Sequence, residues 1–116
     1  MARYTCTYLA SVHDPSLEKT LVQILQASDC ELIYQISDYL MGRENPGQVK
    51  FAQLATVEIL LDQTRAKEDI MQVHFVVKNE ELPLQRNNHC QQMFERVQAN
   101  VAELSSLNLM AETSNA

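Results

Sequence analysis

The side chains of a nucleophilic triad, a hydroxyl, an imidazole and a carboxylate, occur together in the segment Ser11-Val12-His13-Asp14. A working triad needs these groups to converge in space beside an oxyanion hole. The G-x-S-x-G sequence that presents a nucleophilic serine in hydrolases does not occur in the chain. Asp14 instead precedes Pro15, a pairing typical of the start of a helix. We therefore predict that Asp14 caps a helix.

His89 and Cys90 stand at the start of another predicted helix, where the helix N-terminus favours a reactive thiolate. Adjacent helical residues point about 100° apart, however, so the two side chains cannot easily share a metal ion or a proton. Cys90 also begins an apolar stripe along that helix. We predict a buried structural cysteine.

His74 lies on an alternating strand, and Glu58 on the neighbouring strand can stand opposite it. A His–Glu pair titrates near neutral pH and could move a proton. The alternative is an ordinary cross-strand surface contact. With only Gly42 and Gly47 the chain cannot build a phosphate-binding glycine loop, and CxxC, HExxH and EF-hand spacings do not occur. We predict a protein without catalytic residues, bound metal or cofactor.

Composition bounds the class of protein. The 116 residues are 46% hydrophobic and 21% charged, which is typical of one globular domain. Fifteen acidic against nine basic side chains give a net charge of −6, the wrong sign for binding phosphate backbones. We therefore expect no nucleic acid among the partners.

The lengths of the apolar runs and the spacing of the cysteines indicate where in the cell the protein is located. No run approaches the ~18–20 apolar residues that span a bilayer, and the first residues lack a secretory signal, so we expect no membrane insertion. Cys6, Cys30 and Cys90 are an odd number at wide spacings, which does not indicate a disulfide framework. A reducing cytoplasm is the expected location.

Alternating and helical periodicities predict an α+β domain with the order β-α-β-β-β-β-α. The strands are expected at Tyr4–Ser11, Cys30–Ser37, Tyr39–Arg43, Leu54–Leu61 and Ile70–Lys78, and the helices at Pro15–Ala27 and from Asn87 or Asn88 to Leu104. Residues 1–104 form the single domain, and residues 105–116 a partly disordered C-terminal tail.

Packing follows from the apolar faces of these elements. Each helix has one apolar stripe, so both helices are expected on one face of an antiparallel sheet of about five strands. The predicted sheet core comprises Tyr4, Cys6, Tyr8, Leu32, Tyr34, Ile36, Val57, Ile59, Leu61, Val73, Phe75 and Val77. The architecture resembles helix-grip folds and the half-repeat of TATA-binding-type domains, and this resemblance carries no function.

The uncovered face of the sheet is the predicted functional surface. Its strands contribute an apolar band beside one imidazole, and the predicted interaction residues are Leu9, Ile33, Leu40, Leu60, His74 and Val76. Two alternatives stay open: scattered single hydrophobes, and a register that exchanges the two faces. We predict a non-catalytic interaction domain that self-associates or binds a protein partner through this face. The alternative function is binding of a small apolar ligand between the sheet and the C-terminal helix.

Two stretches, MGRENPGQ (Met41–Gln48) and NEELPLQRNNHC (Asn79–Cys90), carry a similarity that extends from residue 1 to about residue 104. Over this range the sequence resembles a family of small uncharacterised proteins of cyanobacteria. The resemblance implies a bacterial cytoplasm, near photosynthetic machinery, and it assigns no activity or site residue.

Overall fold

The computed structural model describes residues 1–64, 66–82, 88–105 and 107–115, with residue 66 and residues 108–115 described by their backbone alone. The elements are β1 (Ala2–Ser11), α1 (Leu17–Ala27), β2 (Cys30–Ile36), β3 (Tyr39–Glu44), β4 (Thr56–Asp62), β5 (Ile70–Asn79), α2 (His89–Leu104) and β6 (Asn108–Asn115). Short 3₁₀ turns occupy Phe51–Gln53 and Ala66–Glu68. The predicted α+β class and the order β-α-β-β-β-β-α are confirmed, and one further strand follows α2.

All strand pairs are antiparallel, and the sheet order is β2-β3-β4-β5-β1-β6. Strands β2 to β5 follow one another as a meander, and β1 lies beside β5. The register of β1 with β5 runs without interruption from Ala2 opposite Asn79 to Ser11 opposite Ile70. This long pairing, with β-branched and aromatic residues on both strands, forms the centre of the sheet.

The sixth strand lies in the segment for which the sequence predicts a partly disordered tail. The backbone of Asn108–Asn115 pairs with β1, and the register shifts between Thr7 and Tyr8. A polar eight-residue segment has little strand signal of its own, so its pairing depends on the edge that β1 offers. β1 is therefore an interior strand, with a neighbour on each side.

Both helices pack on one face of the sheet, as predicted. The buried stripe of α1 is Leu17, Leu21, Ile24 and Leu25, and that of α2 is Cys90, Met93, Phe94, Val97 and Val101. The ring of Tyr4 stacks on Phe94 with centroids 5.5 Å apart, and Tyr8 meets the edge of Phe75 at 5.4 Å. These contacts join sheet and helices in one core.

Strand β2 departs from the predicted alternation. The register shifts between Leu32 and Tyr34, so that Ile33 is the extra residue of a β-bulge. A one-residue insertion reverses the direction of every later side chain in the strand. Tyr34 and Ile36, expected in the core, are therefore about half exposed.

The reversed side-chain direction in β2 continues into β3, because a two-residue turn, Ser37-Asp38, joins the two strands. Ile36 pairs with Tyr39, which places Tyr39 and Met41 on the uncovered face. Leu40, predicted on that face, is instead completely buried in the core, and its predicted interaction role is wrong. Gly42 also lies on the covered face, beneath α1, where an added Cβ would stand 3.0 Å from Cδ2 of Leu25.

Candidate interaction surface

The uncovered face of the sheet carries a contiguous apolar patch on three neighbouring strands. We define the apolar patch as Ile33, Tyr34, Ile36, Tyr39, Met41 and Leu60. Residues opposite each other in an antiparallel ladder share a face, and Tyr39 stands between Ile36 and Leu60 in the register. The aromatic rings of Tyr34 and Tyr39 lie 6.1 Å apart. These side chains therefore adjoin, and they are not scattered single hydrophobes.

Exposure distinguishes the patch from the rest of the sheet. Ile33 is 53% exposed, Tyr34 52%, Ile36 48% and Leu60 40%. Apolar side chains of this size usually leave water when a domain folds, each at a gain of ~1.5–3 kcal/mol. A group of them left on one face is typical of a surface that is covered by a partner.

The predicted band of residues overlaps this patch in part. Ile33 and Leu60 belong to it. Val76 faces the same side but is only 7% exposed, because it sits between Thr5 and Glu58 in the register. Leu9 lies on the same face opposite Gln72, on strands outside the patch.

His74 occupies the same face, but its neighbours differ from those predicted. Glu58 lies opposite Val76, and His74 lies opposite Leu60, so the expected His74–Glu58 pair does not form. Nδ1 of His74 is instead 2.8 Å from Oγ1 of Thr7, and Nε2 is 3.9 Å from Oδ2 of Asp62. The latter distance is too long for a hydrogen bond. The hydrogen bond to Thr7 fixes the orientation of the imidazole.

Glu58 forms a polar link at the margin of the patch. Its carboxylate accepts a hydrogen bond from the hydroxyl of Tyr39 and binds Nζ of Lys78 at 2.7 Å. Burial raises the pKa of Glu58, but the bonds from Lys78 and Tyr39 outweigh it and hold this pKa below its usual value. Burial and the same carboxylate raise the pKa of Tyr39 to about 12. Tyr39 is therefore a protonated donor at neutral pH.

Charged groups of opposite sign flank the patch at the two ends of the strands. Arg43 and Lys78 line a cleft of about 210 Å³ at one end, with Arg3 opposite Lys78 in the register. We call these three residues the basic end; Glu31, opposite Arg43, and Glu80, in the same cleft, add negative charge there. The guanidinium of Arg43 lies 5.5 Å from the ring centroid of Phe51, a cation–π contact that holds it in place.

The other end of the face is acidic. Asp38 and Asp62 line a cleft of about 600 Å³ together with Tyr39, Leu60 and His74. The backbone N–H of Thr64 donates to Oδ1 of Asp62 at 2.9 Å, and its hydrogen bonds lower the pKa of this carboxyl group. We call Asp38 and Asp62 the acidic end. Both carboxylates adjoin the apolar patch.

The triad-like segment near the first helix does not converge on one site. Asp14 accepts hydrogen bonds from the N–H and the hydroxyl of Ser16 at 2.9 and 2.7 Å, so it supports the turn before α1. Ser16, and not Asp14, is the N-cap residue. The imidazole of His13 contacts Asp69 at 2.8 Å on the surface, and only the backbone N–H of His13 reaches the hydroxyl of Ser11, at 3.1 Å.

A second polar cluster surrounds the start of α2. Asn88 is the N-cap and accepts from the N–H of Gln91 at 2.7 Å. The carboxylate of Glu81 accepts from the N–H groups of His89 and Cys90 at 3.1 and 2.8 Å, and from the amide of Asn79 at 2.6 Å. A carboxylate at a helix N-terminus satisfies donors that have no partner within the helix. Glu81 therefore anchors α2 to the end of the sheet.

The side chains of His89 and Cys90 both make contacts within this cluster. Nε2 of His89 lies 2.7 and 2.8 Å from the two carboxylate oxygens of Glu44, which is itself buried. Cys90 is completely buried, as predicted, and its thiol lies 3.3 Å from the carbonyl oxygen of Val77. Burial and the nearby charge of Glu81 raise the pKa of Cys90 to about 12. The thiol is therefore neutral and inaccessible, in agreement with a structural role.

Among the residues that the structure describes, no group of three or more His, Cys, Asp or Glu side chains could hold a metal ion. Within the same part of the chain, no helix has the length and apolar character needed to cross a membrane. No protein-family model matches the sequence, and no curated protein matches it significantly. The resemblance to small cyanobacterial proteins therefore stays a prediction.

Proposed function

We propose that this protein is a non-catalytic interaction domain that self-associates into a homodimer through the apolar patch. The observation that carries the proposal is the contiguous exposure of Ile33, Tyr34, Ile36 and Leu60, at 40–53% each, on a face that neither helix covers. Sheet-to-sheet stacking buries such a face with ordinary side-chain packing. A second copy supplies an identical apolar surface, so no other protein is required.

The uncovered face supports this proposal better than the edge of the sheet at β2 does. Edge strand β2 carries the bulge at Ile33, which bends the strand and hinders pairing with another chain. The amide of Gln35, on the same strand, donates a hydrogen bond to Glu18 of α1. Both features disfavour pairing through the β2 edge, which supports the face as the interaction surface.

The alternative function, an apolar ligand held between the sheet and α2, has less support. The side chains at that interface are Met93, Phe94, Val97 and Val101, which are 0–3% exposed and belong to the hydrophobic core. Close packing of this kind leaves little room for a ligand of ordinary size, which needs ~300 Å³ or more.

We include the cellular location and the class of partner in the same proposal. Cys6, Cys30 and Cys90 are buried and lie outside any disulfide, which suits the reducing cytoplasm proposed for the protein. The resemblance stated above implies that this cytoplasm is bacterial. The acidic charge supports a protein partner over a nucleic acid.

Light scattering coupled to size-exclusion chromatography tests the proposal over a range of protein concentrations. We expect the wild type to pass from monomer to dimer, and Leu60→Asp to raise the dimer dissociation constant more than tenfold, because a charge would be buried in an apolar interface. Leu104→Asp is the matched control, since Leu104 is 41% exposed at the end of α2 and should leave association unchanged. A wild type that stays monomeric up to ~1 mM would reject the proposal.

A further inference from the structure

The charged ends of the uncovered face restrict how two copies can meet. The basic end and the acidic end lie on either side of the apolar patch along the strand direction. Strand β4 runs from Thr56, in the row of Arg43 and Lys78, to Asp62. The six steps from Thr56 to Asp62 correspond to roughly 20 Å along the strand. Each copy therefore presents the guanidinium of Arg43 at one end of this surface, an apolar middle, and the carboxylates of Asp38 and Asp62 at the other end.

Two identical patches that bury each other are related by a two-fold axis in the plane between the sheets. An axis parallel to the strands stacks basic end on basic end and acidic end on acidic end. An axis across the strands stacks the basic end of each copy on the acidic end of the other, and the apolar patches still coincide. Like charges brought together are costly, whereas complementary potentials fix orientation and register.

We infer that the homodimer forms with the strands of the two sheets antiparallel, so that Arg43 of each copy meets Asp38 of the other. This inference rests on the proposed function and specifies its partner geometry. Both residues belong to the same hairpin segment: Asp38 directly precedes β3, and Arg43 lies near the end of that strand. When β3 stacks antiparallel on its counterpart, the two pairs form simultaneously across the axis.

The clefts at the two ends fit this arrangement. The acidic cleft, of about 600 Å³, is bounded by Asp38 and Asp62 and is large enough to receive a long basic side chain. Arg43 is exposed and already oriented by Phe51, so less side-chain freedom is lost on pairing. Lys78, by contrast, is bound to Glu58 within its own copy. Arg43 is therefore the basic residue most available to the partner.

Charge reversal at the two positions tests the orientation. Arg43→Glu and Asp38→Lys should each weaken self-association about fivefold to thirtyfold, because either change puts two like-charged pairs across the axis. The double variant, which restores opposite charges across the axis, should dimerise within about threefold of the wild type. An equimolar mixture of the two single variants should recover dimerisation by forming a heterodimer. Native mass spectrometry distinguishes this heterodimer from the homodimers by mass.

Matched controls separate this effect from the change in net charge. Lys19→Glu on α1 and Glu95→Lys on α2 make the same charge changes on exposed helix positions and should leave the dissociation constant within about twofold of the wild type. Arg43→Gln and Asp38→Asn remove charge without reversing it, so they provide a graded response if a reversal variant fails to fold. Circular dichroism identifies any such failure.

The outcomes distinguish the orientation from the proposed function. Single variants that dimerise like the wild type, or an Arg43→Glu/wild-type heterodimer that is tighter than the wild-type homodimer, would show like ends in contact and overturn the antiparallel arrangement. In either case loss of dimer in Leu60→Asp would still support self-association through the patch. Absence of a wild-type dimer would overturn both proposals.

Discussion

Ile36 lies directly opposite Tyr39 across the two-residue turn that joins β2 to β3. The pair shares the uncovered face of the sheet and sets the direction of every later side chain in β3. Leu40 consequently enters the core, while Met41 and Arg43 face outward. The composition of the interaction surface thus depends on one local pairing.

This face assignment can be tested by stability measurements at two leucines. Leu40→Ala should lower the free energy of unfolding by about 2–5 kcal/mol, because it leaves a cavity at a completely buried site. Leu60→Ala removes the same atoms from the exposed patch and should cost less than about 1 kcal/mol in the monomer. Urea denaturation at low protein concentration gives both values. Equal costs at the two positions would contradict the assignment.

Glu81 should make the stability of the fold depend on pH. Burial raises its pKa, but the hydrogen bonds from Asn79, His89 and Cys90 outweigh it and hold the pKa below the ordinary value. The stabilising charge is therefore fully present above the unfolded-state pKa of about 4.3, and it is lost as the pH falls through the lower folded-state pKa.

Glu81→Gln tests this dependence. The variant should lose about 1–3 kcal/mol of stability at pH 7, and its deficit relative to the wild type should shrink as the pH falls below about 4. Glu80→Gln, at the exposed neighbouring position, is the matched control and should show neither effect. Denaturant titrations from pH 3 to 7 supply the comparison. A deficit independent of pH would indicate that the charge of Glu81 does not matter.

Tyr39→Phe should alter the ionisation of Glu58. The substitution removes the hydroxyl that donates to this carboxylate while keeping the ring in the patch. The pKa of Glu58 should rise, although the contact with Lys78 at 2.7 Å keeps part of the depression. NMR titration of the side-chain carboxyl carbon measures the change. Tyr34→Phe, which alters the neighbouring ring of the patch, should leave this pKa unaltered.

Much of the core could be predicted because burial imposes a regular period on the sequence. Leu17, Leu21, Ile24 and Leu25 recur at helical spacing, and each is buried beneath the sheet in α1. The alternation of β1 and β5 is likewise uninterrupted. Wherever an element is regular, the spacing of its apolar residues indicates which side faces the core.

The candidate surface was harder to predict because a β-bulge has no signature in the alternation of β2. Strand β3 gave no clear signal either, because Arg43 would face the core together with Tyr39 and Met41, whereas Glu44 faces it together with Leu40 and Gly42. Each orientation therefore directs one charged residue inward. The observed one pairs the carboxylate of Glu44 with His89, a contact between distant segments that the sequence does not reveal.

The polar cluster at α2 and the sixth strand lay beyond sequence reasoning for a different reason. Glu44 and His89 are far apart in the chain and meet only because the fold brings the end of β3 beside the start of α2. Strand β6 similarly forms against β1, from the opposite end of the chain. Contacts of this kind depend on tertiary structure, which the periodicity of a single segment does not encode.

The central position of β1 has a consequence for how this chain folds. During synthesis β1 leaves the ribosome well before its neighbours in the sheet, because α1 and β2 to β4 come between β1 and β5, and α2 precedes β6. Pairings between such distant segments carry a large loop-closure cost and are slow to form. Until β5 has been synthesised, the alternating apolar face of β1 lacks its partner in the sheet, and exposed apolar segments of this kind are prone to aggregate.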